Sequence, residues 1–105
     1  MIIAITAFKL PQPITREEAR RIFLGTAPTY QGVPGLLKKH YVLSEDGATA
    51  GGVYLWNSRA EAEALYTDAW RAFVSDKYGT DPTVTFFDSP VTVDNLTQQV
   101  FAEDR

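Results

Sequence analysis

Residues Ile2 to Phe8 read IIAITAF, a run almost free of polar groups and rich in β-branched side chains. Such a run is a strand, and its alternation puts Ile2, Ala4, Thr6 and Phe8 on one face and Ile3, Ile5 and Ala7 on the other. Both faces are apolar, so both need cover. A chain of 105 residues makes one domain, and its helices can cover only one side of such a sheet. The simplest cover for the other is a second copy, two sheets packed face to face about a twofold axis.

The rest of the chain supplies the partners of that strand. Pro11 and Pro13 end it, because neither can donate to a ladder. Thr15 opens a helix, with Glu18 three residues on to complete a capping box. Its inward stripe is Ala19, Ile22, Phe23 and Ala27, and Arg16, Glu17, Arg20 and Arg21 form its wet side. Gly32-Val33-Pro34-Gly35 is a turn. Strand two, Leu36 to Leu43, carries Lys38, Lys39 and His40 and reads as an edge guarded by charge. Glu45-Asp46-Gly47 turns the chain into Gly51-Gly52-Val53-Tyr54-Leu55-Trp56. The glycine pair marks a bulge or a close backbone approach rather than a phosphate loop, since GxGxxG is absent. Ser58 and Glu61 open a second helix to about Val74, with Ala62, Leu65, Tyr66, Ala69, Trp70 and Phe73 inward. Gly79 and Asp81-Pro82 break it, and Thr83 to Phe87 is the last strand. The tail from Ser89 alternates at first and then reads as helical after Asp94.

The order is βαββαβ, the ferredoxin-like α+β arrangement of a four-stranded antiparallel sheet with two helices on one face. Strands one and three are central in that topology, and they are the greasy ones here. A single domain spans 1–105, with its core in 1–88 and the tail 89–105 free to pack on a partner subunit.

Composition removes most other chemistries. With no Cys there is no disulfide, thiolate metal site or cysteine nucleophile, and the lone His40 excludes histidine-rich metal clusters. A net charge of −3 argues against nucleic acid as a partner. No apolar run reaches the length of a membrane span and no signal peptide is recognisable, so the expectation is a cytoplasmic protein without membrane contact. No paired carboxylates or GxSxG elbow support glycoside or serine hydrolysis. Two Trp, five Tyr and six Phe, mostly in strands and helices, suit the enclosure of something broad and flat.

Val33-Pro34-Gly35-Leu36-Leu37, then Gly51-Gly52-Val53-Tyr54-Leu55-Trp56 with its Ser-capped, Ala-rich helix, and the closing Phe87-Asp88 resemble the YdhR-type monooxygenases. These belong to the dimeric α+β barrel superfamily, alongside the antibiotic-biosynthesis monooxygenases. The resemblance implies a homodimer with a pocket between sheet and helices in each subunit. It also implies oxygenation of a small aromatic or apolar substrate without a cofactor. The polar Asn and His groups of better-studied relatives are missing from strand one, which offers only Thr6. Haem-degrading members of the superfamily carry their ligand His on a helix, whereas His40 lies on a strand.

Oxygenation without flavin or metal requires a substrate that can be deprotonated and a base near neutral pKa. His40 is the residue type for that base, although an edge-strand His equally suits a surface or dimer contact. Register decides: pairing with even sums puts His40 beside Tyr54 and Trp56, and odd sums put it with Val53 and Leu55. Tyr54 and Trp70 are the expected donors to a developing oxyanion, with Trp56, Tyr66, Phe8 and Phe73 as substrate-binding wall. Plain core packing would also explain these rings. A non-catalytic binding or accessory dimer and a cofactorless isomerase or cyclase are the alternative functions.

Overall fold

The computed structural model of the chain describes residues 1–103. Its elements run β1 (Ile2–Lys9), α1 (Arg16–Tyr30), β2 (Leu36–Leu43), β3 (Thr49–Trp56), α2 (Arg59–Leu65), α3 (Asp68–Tyr78), β4 (Thr83–Asp88), β5 (Val91–Asp94) and β6 (Gln99–Ala102). The first four strands follow the expected topology, with sheet order β2-β3-β1-β4 and antiparallel pairing throughout.

Capping fixes the first helix. Glu18 N–H donates to Thr15 Oγ1 at 3.1 Å and Thr15 N–H donates to the Glu18 carboxylate at 3.0 Å, so the capping box is complete. The helix continues past Ala27 to Tyr30, carrying the stripe Ala19, Phe23, Thr26, Tyr30 onto the sheet. Its final turn contains Pro28, whose carbonyl accepts the Gln31 N–H at 3.2 Å as the chain leaves the helix.

The expected second helix is two helices. Ser58 caps α2 as read, its hydroxyl accepting Glu61 N–H at 3.2 Å, but the helix stops at Leu65. Thr67 then caps α3, its Oγ1 accepting Trp70 N–H at 3.2 Å. A threonine that can serve a new N-terminus competes with continuation of the old helix. The break turns Tyr66 onto the sheet, and α3 ends on Gly79 at φ 83, the left-handed C-cap for which glycine is suited.

β1 pairs Ala4 with Tyr54 and Thr6 with Gly52. A Cβ on Gly51 would lie 1.9 Å from the Thr6 carbonyl oxygen, so this glycine is the close backbone approach expected from the sequence. The bulge lies elsewhere, at Leu37, where β2 slips by one residue against β3. Under the helices the core is Ala4, Phe8, Ala50, Tyr54, Trp56 and their helical partners Ala19, Phe23, Ala62, Tyr66, Trp70 and Val74. The opposite face stays open: Ile5 is 39% exposed and Phe87 51%.

The tail corrects the sequence reading a second time. Residues after Asp94 form a turn and a strand, not a helix, because β5 pairs with β6 from Val91↔Ala102 to Asp94↔Gln99. Asp94 Oδ1 accepts the Leu96 N–H at 3.0 Å and Gln98 closes the turn at φ 56. The hairpin is rooted at β1, where Ser89 N–H donates to the Met1 carbonyl at 2.9 Å and Glu103 binds the terminal amine. Beyond that root Val91, Val93, Leu96, Val100 and Phe101 are exposed.

Candidate functional site

The inward face of β3 sets the site. Tyr54 and Trp56, two residues apart, present nearly parallel rings with centroids 6.3 Å apart. Tyr66, placed by the α2–α3 break, meets both edge-on at 5.3 Å and 5.9 Å. Trp56 Nε1–H donates to Tyr66 OH at 3.1 Å in a buried contact. One turn on, Trp70 meets Tyr66 edge-on at 4.9 Å and donates its Nε1–H to Tyr30 OH at 3.1 Å. Each indole N–H is thus held by a tyrosine hydroxyl, and each tyrosine hydroxyl keeps its own proton to donate.

Tyr41 from β2 completes the enclosure. It stacks on Phe23 at 4.7 Å and its hydroxyl pairs with Thr26 Oγ1 at 2.8 Å. At the far end Phe8 lies 4.3 Å from Tyr78. Burial raises the pKa of Tyr54 and Tyr66 and pushes Tyr78 up to about 12, so these hydroxyls stay protonated donors at neutral pH.

Into this enclosure comes Lys39. Its Nζ sits 3.4 Å above the Tyr30 ring, 3.7 Å from that of Tyr41 and 4.7 Å from that of Tyr54. Burial lowers its pKa to about 7. With the lysine in place the remaining space is about 20 Å³, room for roughly one water. A larger groove of about 610 Å³ runs outside, between α1 and the β2–β3 turn, and the Phe23–Tyr41 stack is its partition from the interior. Of the groove's two acidic residues, Asp46 accepts from Ser44 and Ala48 within the turn. Arg16, Arg20 and Glu45 line the groove, whereas Lys39 and the rings of Tyr30, Tyr41, Tyr54 and Tyr78 line the small space.

The structure brings together Tyr54, Trp56, Tyr66, Trp70 and Phe8. It does not bring His40. The register pairs His40 with Val53 and Lys39 with Tyr54, the odd-sum alternative, so His40 points to the open face with the sheet between it and the rings. Phe73 is at the rim, 43% exposed. Sequence reasoning passed over Tyr30 and Lys39. The signal for the lysine was alternation along β2, since Lys39 shares a face with Tyr41 and Leu43. For Tyr30 it was the stripe of α1 carried one turn further.

The chain matches the family described as "Putative mono-oxygenase ydhR" over residues 3–99. It belongs to this family. Among the solved structures that resemble this YdhR-family chain are oxygenases of antibiotic-biosynthesis type. A monooxygenase encoded by ActVA-Orf6 of Streptomyces coelicolor, solved with Nanaomycin D, is 20% identical with TM-score 0.63, covering 84% of this chain and 86% of that one. SnoaB of Streptomyces nogalater, a cofactor-independent oxygenase, is 13% identical with TM-score 0.63, covering 90% and 97%. A protein of Deinococcus radiodurans described as a "putative antibiotic biosynthesis monooxygenase" is 12% identical with TM-score 0.66, covering 90% and 97%. At these identities the likeness concerns the fold. Among curated protein sequences none matches the chain. No helix among the described residues is long and apolar enough to cross a membrane.

Proposed function

We propose that this YdhR-family protein is a homodimeric, cofactor-independent monooxygenase that oxidises a small aromatic substrate held between sheet and helices. The observation that carries the reading is the ring-walled enclosure lined by Tyr30, Tyr41, Tyr54 and Trp70, in which Trp70 Nε1–H is held by Tyr30 OH, with the buried Trp56–Tyr66 pair packed behind Tyr54 and Trp70. Flat rings fit such walls, and hydroxyl donors aimed inward can hold a developing oxyanion. The family match supports oxygenation, and the name of SnoaB supports a reaction without cofactor.

The chemistry balances with the substrate as the reductant. A phenol loses its proton and becomes electron-rich enough to reduce O₂. One oxygen atom bonds to the ring carbon para to the hydroxyl, that carbon loses its hydrogen, and the second oxygen leaves as water. For a naphthol the sum is naphthol plus O₂ to naphthoquinone plus water. Tyr54 and Tyr30 donate to the substrate oxygen, Trp70 positions Tyr30, Phe8 forms the wall, and the Trp56–Tyr66 pair backs it from the core. Phe73 at the rim gates entry. Since only about 20 Å³ is free, Lys39 and the Phe23–Tyr41 pair must shift as a substrate enters.

The open sheet face and the exposed hairpin are the proposed dimer surfaces, with the hairpin reaching across the partner. The closed state of the enclosure favours one other reading, a dimeric accessory protein whose rings are core. Oxygen uptake separates the two. With a panel of bicyclic and tricyclic phenols, uptake above the buffer rate that falls in Tyr54→Phe and Trp70→Phe supports the oxygenase; uptake at the buffer rate for every compound supports the accessory role.

A further inference from the structure

Lys39 is the feature that neither the sheet's stability nor its edge protection explains. A lysine guarding an edge should point to water, and Lys38 does. Lys39 instead turns inward, half-buried, and lays its ammonium against three tyrosine faces. Room for it is built into the neighbouring strand: a Cβ on Gly52 would lie 3.2 Å from Lys39 Cε and 2.8 Å from the Tyr54 ring. The groups facing it are Tyr30 of α1, Tyr54 of β3, Tyr78 of α3 and Tyr41 of its own strand, with Thr6 of β1. None of the residues lining the space is acidic, and no salt bridge among the described residues involves Lys39. A buried amine with aromatic faces and no carboxylate is a charge awaiting an anion.

We propose that Lys39 is the general base of this site: its amine takes the proton of a phenolic substrate hydroxyl and then, as the ammonium, pairs with the phenolate. The O–H bond breaks, an N–H bond forms on Nζ, and the electron pair stays on the substrate oxygen as the nucleophile toward O₂. The inference rests on the oxygenase reading above and assigns its missing base, the role first given to His40. Burial lowers the amine's pKa to about 7, so a substantial fraction is neutral at physiological pH. The side chain also occupies the space a ring would fill. It is therefore the part that must swing aside on binding, and an edge strand leaves it somewhere to go.

The test uses 4-nitrophenol, whose phenolate is yellow and whose nitro group blocks turnover. Binding is read separately, by quenching of Trp fluorescence. At pH 6 the wild type should bind it as the yellow phenolate, and Lys39→Met should bind it as the colourless phenol. Lys39→Arg should keep the colour, because the charge remains. It should lose about 100-fold in oxygen uptake with an oxidisable naphthol, because a guanidinium cannot accept the proton. A measurement on the wild type alone covers the case of a misfolded variant: the Lys39 side-chain NMR titration should move upward when 4-nitrophenol is bound. Binding with equal colour in wild type and Lys39→Met, or a Lys39 titration unmoved by the ligand, overturns the base assignment and leaves the site standing. Absence of binding to the wild type overturns both.

Discussion

Burying an ammonium costs stability wherever the group is charged, and Lys39 gives that cost a pH dependence of known sign. Its pKa is about 7 in the folded chain and about 10.4 unfolded. Between these values the unfolded chain binds more protons, so stability rises with pH from about 7 to about 10, by up to about 1.4 kcal/mol per unit. Above pH 10 the sign reverses, because Tyr54, Tyr66 and Tyr78 hold their protons longer folded than unfolded. Urea midpoints should climb from about pH 7 to 9 in the wild type and stay flat in Lys39→Met; a wild-type midpoint that falls over that range would count against the buried amine. Two glycines give a second contrast. Gly51→Ala should cost several kcal/mol or prevent folding, since its methyl meets the Thr6 carbonyl. Gly25→Ala, on a helix with open space around it, should stabilise by about 1 kcal/mol. Residues such as Tyr54 and Trp56 were legible as a pair because alternation alone puts them on one face. His40 was not, because its face depended on a register that no local pattern fixes and that the Leu37 bulge shifts.

Elements were read best where side-chain chemistry marks their ends. Thr15 and Ser58 open helices as their hydroxyls require, and βαββαβ followed from those ends together with the polarity of each strand. The break at Tyr66–Thr67 escaped because the apolar stripe keeps its three- and four-residue steps through it, so periodicity alone reads one helix. Thr67 is the residue that decides. Thr67→Ala should cost about 1 kcal/mol in urea denaturation and alter the Trp70 near-UV signal, because Tyr66 and Trp70 are oriented by that cap. An unchanged stability and spectrum would mean that packing alone sets the break. The β5–β6 hairpin escaped for another reason. Its pairing depends on an Asx turn at Asp94 and a left-handed Gln98, conformations that asparagine or glycine would have announced more clearly than glutamine does.

At the scale of the whole molecule the single chain exposes too much surface. It presents 7095 Å², against about 5,900 Å² expected for a folded chain of this mass. Its radius of gyration is 14.8 Å, against about 13 Å for a compact domain. On the open sheet face and the hairpin, Ile5, Val42, Phe87, Val93 and Phe101 are exposed. An ordinary dimer interface covers about 800 Å² per partner, which matches that excess in scale. Light scattering should give twice the chain mass, and Phe87→Glu with Phe101→Asp should shift it toward a folded monomer; a wild type of single-chain mass at micromolar concentration would refute the dimer. The dimer expectation starts from a strand apolar on both faces, since one layer of helices covers only one of them.

Oxygen labelling tests the proposed oxygenase function most directly. The protein should be incubated under ¹⁸O₂ with a bicyclic phenol such as 1-naphthol, and the product weighed by mass spectrometry. The expected product is a quinone carrying one labelled oxygen, formed faster than in buffer and suppressed in Tyr54→Phe. A quinone formed no faster than without protein, or one with no label, would contradict that function.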